Sequence, residues 1–169
     1  CLFGSDGAVV NGSGWVRQTG GTVYLGGGVM LDGVEWVQEE GSLVGSGSGG
    51  VWTVANGARV RWLDGWWRGS LTLTNGVECE WASGGVKLFY GPVTVHNYGT
   101  ITWTDGWVSA DRRNGPVSLY HHSGARFVCE GGPGFGGGWE VAQMWVEADA
   151  EWIKRGTNTT TWEWQVHKQ

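Results

Sequence analysis

The chain has 169 residues and a formal charge of −5, from 11 Lys and Arg against 16 Asp and Glu. That balance excludes nonspecific nucleic-acid binding, which needs a basic face. With 33 glycines, 14 tryptophans and only 3 prolines, the sequence is neither collagen-like nor a proline-rich linker, and it is too apolar for a disordered chain. No apolar run reaches the ~18–20 residues of a transmembrane helix. A single all-β domain over residues 1–169 remains.

The chain opens on Cys1 rather than Met. A leading cysteine is similar to the lipid-bearing N-terminus of a bacterial lipoprotein, which would place a lipid anchor at Cys1; a cloning or proteolytic boundary is the alternative. Three cysteines cannot all pair within one chain. Cys79 and Cys129 have no zinc-ligand spacing, and His96, His121, His122 and His167 do not complete one. No metal site and no cofactor is therefore expected. The sequons at Asn11 and Asn158 matter only in a secreted eukaryotic protein.

Internal repetition then organises everything downstream. Aligning the chain on Trp15, Trp36, Trp62, Trp81, Trp103, Cys129 and Trp152 gives steps of 21, 26, 19, 22, 26 and 23 residues. Their mean of about 23 is the size of one β-solenoid coil. A second phrase precedes the middle members: Leu71–Asn75, Val93–Asn97 and Val117–His121, with earlier versions ending at Asn11, Asp32 and Asn56. These runs alternate apolar and polar, as half-buried strands do, and close on Asn, Asp or His beside Gly, residues suited to positive-φ corners. Each coil thus reads as strand, corner, strand, glycine-rich corner and a variable third segment. The expected fold is a single-stranded parallel β-helix of about seven coils, each roughly 19–26 residues. Regular coils span 8–130, a glycine-rich loop 131–138, and a last coil with a terminal capping or connecting strand 139–169. Insertions fall at Gly41–Gly50 and Gly131–Gly138. Residues 139–155 also fit an amphipathic helix, but the alternation of Val146–Trp152 favours strand.

Stacking the coils predicts side-chain columns. Trp15, Trp36, Trp62, Trp81, Trp103, Cys129 and Trp152 form an inward core column, the indoles stacked in an offset ladder at ~4.8 Å. Val60, Cys79, Ile101 and Phe127 form its neighbour, leaving Cys79 and Cys129 as buried free thiols ~10 Å apart. Outward, Glu35 is expected to meet Arg61 and then Glu80, Arg59 to meet Glu78, and Arg126 to meet Asp149. Such pairs contribute about 0.2–1 kcal/mol each and oppose a slipped register. An outward column of Thr53, Thr72, Thr94 and Ser118 has the composition of an ice-binding array, but its neighbour (Ala55, Thr74, His96, Tyr120) is irregular, which counts against that reading.

Asn97-Tyr-Gly-Thr-Ile-Thr-Trp-Thr-Asp-Gly106 resembles the Gly/Asn-rich repeats of large bacterial surface β-solenoids, of the filamentous-haemagglutinin-like and autotransporter-passenger type. The resemblance covers 8–130 and implies an extracellular or cell-surface structural or adhesive role. The chain departs from the family in being short, dense in tryptophan and without an evident translocation module.

Catalysis is not expected: the outward carboxylates mostly face Arg, and no Walker loop, HExxH or GxSxG occurs. Asp64 and Asp105 lie in repeated Trp-x-Asp-Gly-Trp phrases, where Asp-Gly is a turn pair. Trp66, Trp67 and Trp107 follow those corners; facing solvent beside Asp64 and Asp105, they would suit a sugar ring, and packed under the third segment they would be core. The leading reading is a non-enzymatic subunit of a surface fibre whose partner is itself, assembling end to end through Cys1, Thr160, Trp162, Trp164 and Val166. The alternatives are a glycan-binding module and, below it, a fragment of a polysaccharide-active β-helix enzyme.

Overall fold

The computed structural model describes residues 2–3, 7–45, 51–131, 134–137, 142–157 and 160–169. Every strand pairing in it is parallel, no helix occurs among the described residues, and the chain winds as a β-solenoid. Each turn visits three faces. The first holds Val9–Asn11, Val29–Asp32, Val51–Ala55, the C-terminal halves of Gly65–Leu73 and Val86–Asn97, then Val117–His121, Gln143–Val146 and Gln165–Lys168. The second holds the N-terminal halves of Trp15–Leu25 and Glu35–Gly45, then Arg59–Trp62, Glu78–Trp81, Thr100–Trp103, Arg126–Cys129 and Glu151–Lys154. The third holds Leu2–Phe3, the remaining halves of the four long strands, Trp107–Asp111, Gly134–Gly137 and Thr161–Trp162. About six turns separate the first and last strands of the second face.

The alternation of buried and open positions follows from period-2 strands wrapped round one core. On the second face the inward columns are Val16–Trp36–Val60–Cys79–Ile101–Phe127–Trp152 and Gln18–Gln38–Trp62–Trp81–Trp103–Cys129–Lys154. The tryptophan column therefore holds for Trp62, Trp81, Trp103 and Cys129 but not for the other members. Trp36 is buried, yet two residues out of step, with Gln38 in the expected place. A slip of two preserves which face a residue points to, so Trp36 still packs inside. Trp15 is an odd number of positions out, beside Glu35, and is 65% exposed. Trp152 stands in register with Phe127 in the neighbouring column, edge to face at 87°, and is 40% exposed, because it lies on the last turn.

Trp62 and Trp81 do not stack as the expected offset ladder. Trp62 and Trp81 meet edge to face, with centroids 6.0 Å apart and planes at 89°. Trp62 lies flat on Trp67 from the third face, at 3.9 Å and 10°. Trp81 also meets Phe89 and Phe127 edge-on, at 5.6 and 5.7 Å. Packing across the core wins over stacking along the axis because three faces converge on one narrow interior. Along the third face the inward column Trp67–Phe89–Ala110 shrinks in volume. Trp164, 5% exposed, approaches Phe89 to 5.9 Å on that side.

Several other expectations are corrected. Glu35 stands opposite Arg59, not Arg61, and Arg126 pairs with Glu151 at 2.9 Å, not with Asp149. Arg59–Glu78 and Arg61–Glu80 pair as expected, and these exposed pairs serve register more than stability. The threonine column breaks: Thr53 and Thr72 continue into His96, while Thr94 and Ser118 stack on Ser70. Residues 143–154 are two strands joined by a turn, not a helix. The glycine-rich segment contains the strand Gly134–Gly137, while 46–50 and 138–141 lie outside the described residues. The terminal alternating run is two strands, Thr161–Trp162 and Gln165–Lys168. Cys79 and Cys129 are buried free thiols, and burial pushes the Cys79 thiol up to about 12.

Trp81→Ala removes a fully buried indole packed against Trp62, Phe89 and Phe127 and is expected to cost about 3–5 kcal/mol. Trp15→Ala, on the open surface, is expected to stay within about 0.5 kcal/mol of wild type. Urea unfolding followed by far-UV circular dichroism measures both; equal losses would overturn the division between core and surface tryptophans.

Candidate functional site

The corner between the second and third faces carries the residues that the sequence singled out. Asp64 and Asp105 build the same device two turns apart. Each Oδ1 accepts the next residue's backbone N–H, from Gly65 and from Gly106. Each backbone carbonyl accepts an indole N–H at 3.0 Å, from Trp62 and from Trp103. Both carboxylates thus act first as acceptors for the backbone of their own corner, and Gly supplies the positive φ that follows, which is why Asp-Gly recurs there.

The intervening turn supplies a residue that sequence reasoning missed. Lys87 is fully buried, and its Nζ donates to the carbonyls of Ser83, Gly85 and Asp105 at 3.1, 3.3 and 3.4 Å. Burial pulls its ammonium down to about 8, against the opposing pull of Asp64 and Asp105. Alternation could have revealed it: if Phe89 points inward, so does Lys87.

The tryptophans after these corners separate. Trp67 is buried, stacked on Trp62, and donates its indole N–H to Gln38 Oε1; it is core. Trp66 points outward, half-buried, 5.3 Å from Tyr90 with the planes at 60°. Trp107 is half-buried in another outward column, between Val86 and Gly134. Gly134 is required there, since a Cβ would run into the Trp107 ring. With Val86 (51% exposed), Leu88 and Tyr90, these two tryptophans give the outside of the third face an apolar strip.

Of the expected assembly residues, Cys1 lies outside the described residues and Trp164 is buried in the core. Trp162 and Thr160 line an apolar pocket of about 270 Å³ with Cys129, Trp152 and Lys154, and Val166 is 42% exposed on the last turn.

A second constellation lies on the first face. The outward column Thr72–His96–Tyr120–Trp145–His167 becomes aromatic from the middle of the solenoid onward. His96 stacks on Tyr120 at 5.1 Å, Tyr120 on Trp145 at 6.1 Å and Trp145 on His167 at 4.1 Å, with interplanar angles of 12°, 8° and 17°. Beside it, Tyr98 stacks on His122 at 4.1 Å and 6°. A hydrogen-bonded file crosses the ladder: His96 Nδ1 to His122 Nε2 at 2.9 Å, and His122 Nδ1 to Glu147 Oε1 at 2.8 Å. Ser123 donates its backbone N–H to Glu147 Oε2, and this bond together with the one from His122 holds the carboxyl below its usual range. Burial and the neighbouring His122 hold His96 below the ordinary imidazole value. The sequence placed His96 and Tyr120 in one column; Trp145 and His167 were missed because the register beyond 130 was not fixed.

Among the described residues, no three His, Cys, Asp or Glu side chains converge as a metal cage. A groove of about 500 Å³ on the second face is lined by Arg59, Arg61, Glu78 and Glu80, whose charges answer one another.

The buried Lys87 makes stability depend on alkaline pH. Its proton is held less tightly in the folded state than in the unfolded chain, whose lysine titrates near ~10.4, so stability rises between about pH 8 and 10.4 as the unfolded state alone keeps that proton. Cys79, raised to about 12, acts oppositely above the ordinary thiol range, so the test is a difference. Urea midpoints of wild type are expected to rise relative to Lys87→Met across this window; parallel curves would overturn the assignment. No protein-family model, curated protein or solved structure matches the chain.

Proposed function

We propose that this chain is a structural or adhesive β-solenoid of an extracellular surface fibre, extended coil on coil along its axis by a second copy. The observation that supports this reading most is the distribution of exposed apolar side chains. Among the described residues, five of the seven large apolar side chains at least 40% exposed lie on the terminal turns, Val9, Trp15 and Tyr24 on the first and Trp152 and Val166 on the last, against Val86 and Tyr98 between them. The strands Glu151–Lys154 and Gln165–Lys168 pair on one side only among the described residues. An uncovered strand edge is a template for another strand, and head-to-tail contacts that do not close generate filaments.

Negative-stain electron microscopy of the purified chain, with and without reductant, tests it. Linear assemblies are expected in both conditions, shortened by Trp152→Lys with Val166→Lys. Loss on reduction alone would assign the link to Cys1. Compact monomers at every concentration would overturn self-assembly.

A second reading, glycan binding, is favoured by one observation: Trp66 and Tyr90 are tilted at 60° rather than stacked, so their ring faces are not used up by each other. On this reading, oligosaccharide titration quenches tryptophan fluorescence in wild type but not in Trp66→Ala. Identical traces for the two proteins would remove Trp66 from any sugar site.

A further inference from the structure

We propose that His96 and His122 form a two-histidine chelate for a divalent transition-metal ion of tetragonal preference, Cu²⁺ or Ni²⁺, on the outside of the first face. His96 lies on the strand Val86–Asn97; His122 follows the strand Val117–His121 on the next turn. Asn97 stands opposite His121, so the two imidazoles are diagonal neighbours across adjacent strands, within reach of each other. A full solenoid turn separates them in sequence, so no local spacing motif could announce the pair.

Three features make this a built site. The first is distance: the facing nitrogens, His96 Nδ1 and His122 Nε2, are 2.9 Å apart. Two ligands ~2.0–2.1 Å from one ion and cis at a right angle are separated by about 2.9 Å, whereas tetrahedral coordination needs about 3.3 Å. The pair therefore matches the cis edge of a square-planar or octahedral ion better than a tetrahedral zinc site.

The second is tautomer. The Glu147 carboxylate accepts the His122 Nδ1–H at 2.8 Å, which leaves the Nε2 lone pair facing His96. A carboxylate behind a histidine ligand fixes ring orientation and raises its basicity.

The third is orientation. Tyr120 stacks on His96 and Tyr98 on His122, both within 12° of parallel, so the ring planes are set before any ion arrives. Preset ligands lose less side-chain freedom on binding.

In the free protein one proton occupies the space between the two nitrogens. That proton moves through solvent from His96 Nδ1 to its Nε2, with no net proton released; the ion sits off the line joining the two nitrogens, ~2.0–2.1 Å from each, and water fills the remaining coordination positions, since among the described residues no third His, Cys, Asp or Glu converges there. Neither nitrogen changes oxidation state. The chemistry available is reversible capture of the ion on an accessible face, independent of whether the solenoid assembles or binds sugar.

The test is titration of the whole chain with Cu²⁺ alone, read by electron paramagnetic resonance and calorimetry at neutral pH. One ion per chain at this site is expected, with hyperfine structure from two imidazole nitrogens. His96→Gln and His122→Gln should each remove one nitrogen from the spectrum and weaken binding at least tenfold. Glu147→Gln, which leaves both ligands in place, should weaken it by about tenfold while keeping two nitrogens. Circular dichroism and urea midpoints of each variant verify folding. A Cu²⁺ signal unchanged in both histidine variants, or an affinity unchanged in Glu147→Gln, would place the ion elsewhere and overturn the proposal.

Discussion

In-register parallel stacking is the constraint on which the rest of this molecule depends. Each strand repeats the position of the one before it, one rung further along the axis, so a residue's neighbours are set by column before its chemistry enters. Inward columns must be apolar or supply their own hydrogen bonds. The polar exceptions show how. Gln18 donates to the carbonyls of Gly21 and Ser42, Gln38 donates to Gly41 and accepts from Trp67, and Asn97 accepts from Gly99 and donates to the Arg126 carbonyl. Lys87 does the same with three carbonyls. Each of these side chains ties down a corner, where the backbone leaves the ladder and its groups need partners. His121 is the costlier member: next to Asn97 in the column, it has an unpartnered Nε2, and burial pulls its imidazole down to about 3, so it stays neutral.

The same rule explains what the sequence made legible. Alternation and corner residues were enough for the parallel solenoid, for the columns through Trp62, Trp81 and Trp103, and for the Arg59–Glu78 and Arg61–Glu80 pairs. They failed where alignment on tryptophan hid a slip. Trp36 is two residues out of step because Glu35 enters the second face opposite Arg59, and tryptophan at either inward position packs inside. A slip of two is nearly invisible to hydrophobic patterning, since it preserves the face. Charge is more sensitive: Glu35 opposite Arg59, rather than Arg61, was available as a cue. The displaced Thr94 and Ser118 follow from the same kind of slip on the first face, where Thr94 meets Ser70 and not Thr72.

The candidate sites were legible in proportion to how local they were. Asp64 and Asp105 sit in short phrases, and their corner role could be read directly. Trp66, Trp67 and Trp107 are also local, but which of them points outward depends on a strand beginning at Gly65, which sets Trp67 inward and Trp66 outward. Gly65 holds a positive φ of 95°, and a Cβ there would run into the Gly41 carbonyl, so the previous turn fixes where that strand starts. The His96–His122–Glu147 file is wholly non-local, three residues from three segments brought together by turns of 25 and 26 residues.

Ring orientation then divides the two exposed aromatic surfaces by chemistry. In the first-face ladder the rings stack along the axis, so their faces are spent on one another and their edges are what remains to interact. Edges carry nitrogens and hydroxyls, which bind protons and metal ions. On the third face Trp66 and Tyr90 are tilted, with Ser42 and Leu88 beside Trp66 and Asp111 beside Tyr90, so ring faces remain to meet another apolar surface or the C–H face of a sugar. One solenoid thus presents two kinds of aromatic surface from the same repeat. The difference is set by whether successive rungs place planar rings directly above one another, as at Tyr120 and Trp145, or interrupt them with aliphatic side chains, as Leu88 follows Trp66. A substitution that inserts or removes a single ring in either column therefore changes what its neighbours can bind, even where it touches no ligand itself.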